Sequence, residues 1–281
     1  MEKSVRTAIG AKLQTAQKHN LPYLFDKNSV MNEQVQVLPG QLPSRTPWVQ
    51  FLAIGIGGLS ARIIGDNRRL ELVPQPHEPR HTGLYEQIPF VVRPIDQDLT
   101  SAERAQFRLR AVVRKNNQDY AYYWLRRMNL ATTEVTLEYR EITDGNVTSV
   151  RWEPTPDDQH PTPRVVNPGQ VLVTGDDYVA ASSKSVVRFT PWDVNELINV
   201  GKHLFGSETA ITVSELALCS GVDIEARAQV GGASVPITEA IGVQITDFVS
   251  TLLPAAFNRS GATINLDSGS VEPLLALKAA Q

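Results

Sequence analysis

The chain holds a single cysteine, Cys219, in 281 residues, so no disulfide can form within it. Cys219 closes the apolar run Leu216–Cys219 and reads as a buried thiol, not a reactive one. Long hydrophobic runs are also missing. The longest, Phe51–Leu59 (FLAIGIGGL), is far short of a membrane span and is broken by Gly55, Gly57 and Gly58. The first residues, MEKSVRTAIGAKLQ, lack an apolar stretch of secretory length, which leads us to expect synthesis in a cytoplasm. Neither sign of charge dominates. Lys and Arg total 27, Asp and Glu 30, and the net charge is −3, so there is no basic field to draw nucleic acid or an anionic membrane. The pairs Arg68–Arg69 and Arg126–Arg127 read as solvated strand or turn residues. No phosphate loop of the form G-x-x-x-x-G-K-[ST], no G-x-S-x-G elbow and no internal repeat occurs.

The segment Ser185–Gly206 (SVVRFTPWDVNELINVGKHLFG) carries the clearest local signal. Thr190 can N-cap a helix, Pro191 suits its first position and Asp193 completes a capping box. Trp192, Leu197, Val200 and Leu204 form the apolar stripe, and Gly206 suits the left-handed residue past the end. Trp192 is expected to pack on a sheet, with loss of its side chain costing about 3–5 kcal/mol. This helix bears no nucleophile or ligand cluster and reads as framework.

Elsewhere the pattern is β-rich. Residues 4–19 suggest a short helix weakened by Gly10, and Asn20–Pro47 an extended arm broken by Pro22, Pro39, Pro43 and Pro47. The arm carries Leu21, Tyr23, Leu24, Phe25, Val35, Val37 and Leu38, too many apolar residues for a free tail. It is expected to lie on another surface, this domain's own or a neighbour's, and to be dispensable for folding of the rest. Two strands are read in Val49–Leu72. Phe107–Arg114, Tyr120–Arg126, Thr133–Glu141 and Val147–Trp152 read as an antiparallel meander with one wet face, turned at Asn116–Asn117 and Asp144–Gly145. Short strands are expected at Val171–Val173, Tyr178–Ala181 and Ser185–Phe189, with an apolar run at Ile211–Cys219 and strand-like runs at Val235–Ile237 and Ile241–Phe248, punctuated by Gly231–Gly232. Val271–Ala279 reads as a docking tail. The expected fold is α+β, mainly β: antiparallel strands and hairpins with one well-capped helix and long Pro-rich loops. The expected division is 1–47 (helix and arm), 48–232 (core) and 233–281 (strands and tail).

His77-Glu78-Pro79-Arg80-His81 matches H-E-x-x-H letter for letter. That chemistry needs both histidines on one face of a helix to hold zinc, with the glutamate activating water. Pro76 and Pro79 argue against the helix, so the segment reads as an exposed loop binding no zinc, and a metal-dependent hydrolase ranks a distant third among functions. Gly55–Gly58 lacks the third glycine of a dinucleotide fingerprint, with Ser60 in its place, and reads as a bulge or turn. Asp176–Asp177, Asp157–Asp158 and Asp96 with Asp98 read as solvated turn acids, without the spacing of a calcium loop. Tyr120–Trp124 fits strand packing, or an exposed aromatic face able to bind carbohydrate or a host surface.

Several segments in order carry a resemblance: Ile88-Pro89-Phe90 with Val91–Pro94, Asp96 and Asp98; FRLRAVV from Phe107; PTPDDQHPTP from Pro154; VTGDDYVAAS from Val173; FTPWDVNEL from Phe189; and SELALCSGVD from Ser214. Together they resemble a family of tailed-bacteriophage virion structural proteins over roughly Trp48–Asp223. The resemblance implies a non-enzymatic particle component of the tail, baseplate or neck. Its partners would be other virion proteins and copies of itself. No catalytic, cofactor or metal residue is expected, and no nucleic acid, membrane or small-molecule substrate. The expected location is the virion.

Overall fold

The computed structural model describes residues 3–37, 42–64, 69–130, 134–144, 146–230 and 232–279. Leu38, Pro39, Arg68, Thr133, Gly145 and Gly231, all named in the sequence reading, lie outside the described residues. The strands are β1 (Lys3–Arg6), β2 (Trp48–Gly55), β3 (Leu59–Ile64), β4 (Arg69–Pro74), β5 (Gln87–Ile88), β6 (Val91–Pro94), β7 (Phe107–Lys115), β8 (Gln118–Arg127), β9 (Val135–Thr143), β10 (Asn146–Arg151), β11 (Gln170–Phe189), β12 (Thr212–Val230), β13 (Ala233–Pro254) and β14 (Ala262–Ala279). The α-helices are α1 (Ala8–Lys18), α2 (Met31–Gln34), α3 (Ser101–Arg104) and α4 (Pro191–Phe205). The fold is mainly β with antiparallel sheets and few helices.

By contacts the chain forms two units: residues 1–129 with 188–263, and residues 130–187 with 264–281. They do not part at 47/48 or 232/233. The first unit holds an eight-stranded sheet in the order β1-β13-β12-β2-β8-β6, with β5 added to β2 and β7 to β8. Its core gathers Phe51, Leu109, Leu125, Cys219, Val243 and Phe248. Burial pushes the Cys219 thiol well above its usual range. A separate two-stranded ribbon, β3–β4, leaves the same unit. The second unit is a four-stranded sheet in the order β10-β9-β11-β14. The expected single meander is therefore two hairpins in different sheets. The β7–β8 turn places Asn116 and Asn117 at φ +49° and +66°, the left-handed pair that a two-residue hairpin requires. The short strands read near 171–189 and 235–248 are parts of the long strands β11 and β13.

The N-terminal arm is part of the first unit's own core. β1 pairs with Asp247–Ser250 of β13. Thr7 caps α1 and donates its hydroxyl to the carbonyls of Ile245 and Thr246. Gly10, which weakens α1 on propensity, is there because a Cβ would stand 2.3 Å from the Thr246 carbonyl oxygen. Tyr23 is buried with its hydroxyl 2.8 Å from Gln244 Oε1. Asn32 spans two backbone groups of β13, donating to Ala240 O and accepting from Val243 N. Met31 joins the main core. Of the two surfaces expected for the arm, its described residues lie on the first unit's own sheet.

α4 has the predicted ends. Thr190 and Asp193 form the capping box, and Gly206 stands at φ +72°. Its buried face is Val194, Leu197, Ile198 and Val200, and it packs against β6. Trp192 is only half-buried, its ring centroid 6.1 Å from that of Phe107. Arg126, read as solvated, instead reaches the cap: it lies 3.1 Å from Asp193 Oδ2 and donates to Arg188 O.

Candidate functional site

The H-E-x-x-H segment is neither a helix nor a wholly exposed loop. His77 is buried, its ring stacked between Tyr85 (centroids 4.1 Å apart) and Phe248 (3.8 Å). His77 Nε2 lies 2.6 Å from Glu215 Oε2, a partner 138 residues downstream in β12. The Glu215 carboxylate also accepts backbone N–H groups from Gly57, Tyr85 and Glu86. Burial alone would raise its pKa, but the His77 ring and these three amides outweigh that and hold it below the usual carboxylate value. His81 is half-buried, with its Nδ1 3.2 Å from His77 Nδ1, while Glu78 turns outward to Arg80. The residues that a zincin would align are thus divided between core and surface. Among the described residues, no three His, Cys, Asp or Glu side chains form a group that could hold a metal ion. Gly57 and Gly58 form the β2–β3 turn, where their amides meet Glu215 and Ser214.

A second cluster surrounds a cavity of about 310 Å³ lined by Arg104, Phe107, Arg110, Tyr123, Ile237 and Glu239, among others. Asp98 is not a solvated turn acid. Its side chain is 1% exposed and binds Arg110 through two nitrogens, the Tyr123 hydroxyl and the Leu99 amide. Burial, and then Asp98, push the Tyr123 phenol far above its usual range. Opposite, β7 has a local backbone twist at Leu109, which takes φ +53° while fully buried, with the register to β8 unshifted on either side. The freed amides of Leu109 and Arg110 donate to Glu239. Burial nevertheless raises the Glu239 pKa, the backbone donors offsetting only part of that cost. Arg108 grips Asp223 through two nitrogens. These charges answer one another inside the chain, so the cluster reads as a brace for the left-handed backbone at Leu109.

The aromatic strand faces inward. Tyr122 and Tyr123 are buried, and the Tyr122 hydroxyl meets His203 Nε2 at 2.9 Å. Burial and the nearby Lys115 lower the His203 pKa. His203 thus sits among tyrosines, away from the core cluster that holds Cys219, and the two make no thiol–imidazole pair.

Apolar surface is concentrated on two strand surfaces. In the β3–β4 ribbon, Ala61 opposes Leu72 and Ile63 opposes Leu70, which puts these four residues on one face. All are exposed, Ile63 at 67% and Leu70 at 65%. The other face carries the Arg62–Glu71 pair. In the second unit, Val150, Tyr139 and Val179 stand opposite one another across three strands, with Leu137 beside Ala181. On that face Val135 and Val150 are 71% and 63% exposed. The reverse face holds Glu138 at the centre of Arg140, Lys184 and Ser149. The tail read as a docking segment is the end of β14, with Val271, Leu275 and Leu277 exposed.

Glu215 and Glu239, the two acids around which these clusters form, were missed by the sequence reading because nothing local marks them. Each is an isolated glutamate in an apolar strand, and that isolation is the one signal present. A family model described as a family of unknown function, DUF7208, matches residues 1–281. No curated protein and no solved structure matches the chain.

Proposed function

The chain belongs to the DUF7208 family, and we propose that it is a non-enzymatic structural subunit that works by burying β-surfaces against copies of itself and companion proteins. One observation carries this reading: the bare apolar face of the β3–β4 ribbon. A lone hairpin is marginal in water, and a stripe of Ala61, Ile63, Leu70 and Leu72 gains its burial energy only against another surface. The one-layered sheet of the second unit, with Val135 and Val150 outward, supports it as well. Placement in the tail, baseplate or neck of a tailed-phage particle rests on the resemblance over Trp48–Asp223. A carbohydrate-binding role through the aromatic strand is less well supported, because Tyr122 and Tyr123 are buried.

The test is the mass of the full chain in solution by light scattering, alone and with glycans added. Oligomers or filaments are expected. The double variant Ile63→Lys, Leu70→Glu, which sets opposite charges across the pair, should reduce association while leaving the melting temperature nearly unchanged, since both residues are solvated in the single chain. A monomer that binds glycan, or a variant that associates as before, overturns the reading. Peptide mass fingerprinting of purified virions tests the particle assignment.

A further inference from the structure

We propose that the cavity of about 310 Å³ beside Asp98 binds a small zwitterion, an α-amino acid with an apolar or aromatic side chain. Its volume lies at the lower end of small-ligand pockets, about 300–1,000 Å³. The floor is aromatic: Phe107 and Tyr123 are buried, with ring centroids 5.9 Å apart. The rim is open, with Ser101, Ala105 and Thr238 exposed, so a ligand can enter without the fold opening. All of these residues belong to the first unit, and the site does not depend on assembly.

The ligand's two charges follow from the charges left over on the wall. Asp98 is spent: its Oδ2 takes two nitrogens of Arg110, and its Oδ1 takes the Tyr123 hydroxyl and the Leu99 amide. Arg104 also lines the cavity and stands 3.8 Å from Asp98 Oδ2, beyond hydrogen-bond reach. Its own acceptors are neutral, the Leu99 carbonyl at 2.7 Å and the Ser101 hydroxyl at 3.4 Å. Two guanidiniums thus share one carboxylate, and the Arg104 side chain is only 10% exposed. One positive charge is left without a carboxylate of its own, where water screens it poorly. The acids divide in the same way. Glu239 is capped by the amides of Leu109, Arg110 and Ala240. Asp223 is held by Arg108. Glu225, two residues on, shares that face of β12, lines the cavity and stands opposite Thr238. Among the described residues Glu225 forms no ion pair, with Arg104 or with any other cation. An inorganic anion would answer Arg104 but meet Glu225, and an amine would do the reverse. A molecule with one charge of each sign answers both. The carboxylate of an α-amino acid suits the guanidinium fork, its ammonium suits Glu225, and its side chain covers Phe107 and Tyr123.

The test titrates the full chain with three probes of one shape: L-phenylalanine, hydrocinnamate, which lacks the ammonium, and phenethylamine, which lacks the carboxylate. Binding is read in ¹H–¹⁵N spectra, where the Ile237 and Thr238 amides report on the cavity wall. L-Phenylalanine should shift both amides saturably and bind about tenfold more tightly than either analogue. Glu225→Gln should weaken L-phenylalanine by about tenfold and leave hydrocinnamate no weaker than in the parent. Arg104→Gln should weaken L-phenylalanine and hydrocinnamate and spare phenethylamine. Arg104 also holds the Leu99 carbonyl and its loss can disturb α3, so Glu225→Gln, a substitution at an exposed position, carries the decision. The proposal is overturned if L-phenylalanine gives no saturable shift at Ile237 and Thr238. It is equally overturned if hydrocinnamate binds the parent as tightly as L-phenylalanine, or if Glu225→Gln binds L-phenylalanine as the parent does.

Discussion

Trp192 and Leu197 show how one helix stripe misleads residue by residue. Both fall on the apolar period of α4, but Leu197 is fully buried whereas Trp192 keeps an exposed edge. Leu197→Ala should therefore destabilise by about 2–5 kcal/mol. Trp192→Ala should cost less than that, below the 3–5 kcal/mol expected from sequence, and denaturant unfolding of both variants checks the order. Glu138 is a different case, a surface-sheet acid whose partners hold its pKa near 2: first the Ser149 hydroxyl, then Arg140 and Lys184. Its folded pKa lies below its unfolded value, so its stabilisation is complete above about pH 4.5 and is lost as pH falls toward 2. Protection of the β9–β11 amides, relative to their intrinsic exchange rate at each pH, should fall over that window in the parent. In Glu138→Gln the same step should be missing.

Elements were legible where their signals are local. The ends of α4 are written in Thr190, Asp193 and Gly206, and each does what its position foretells. Thr190→Ala should lower stability by about 1 kcal/mol, read as a shift in urea midpoint with unchanged slope. The β7–β8 turn is equally local, two asparagines at positive φ. The long strands were not legible as such. β12 changes from fully buried at Glu215–Val222 to alternating exposure at Ile224–Val230, so it looks like a short core strand followed by a loop. The left-handed backbone at Leu109 is also invisible in sequence, because what holds its amide is Glu239, 130 residues away. His77 and His81 are visible as letters, but what holds His77 is Glu215, which no spacing rule connects to it.

At the scale of the molecule, the arm is structural. Residues 3–37 bury Leu13, Tyr23, Val30 and Met31. At roughly 1.5–3 kcal/mol for each large apolar side chain, their loss rivals the whole stability of an ordinary domain. Deletion of residues 1–37 should give an insoluble chain or one without a cooperative transition by circular dichroism. A soluble, folded truncation would show that the arm only decorates the sheet.

The pairing of β1 with Asp247–Ser250 also sets a timetable for biosynthesis. The first strand leaves the ribosome long before the strand that accepts it, and at about 5–20 residues per second the wait is on the order of 10–50 s. β2 waits about two-thirds as long for β12, its main partner. During that interval the nascent chain displays the apolar Phe51–Ile54 stretch and an unpaired strand edge, a target for holding chaperones and a seed for aggregation. Ribosome-stalled chains ending before Thr212 should be cut by protease within residues 3–55. Chains in which Pro254 has cleared the exit tunnel should resist, because only then can the sheet close.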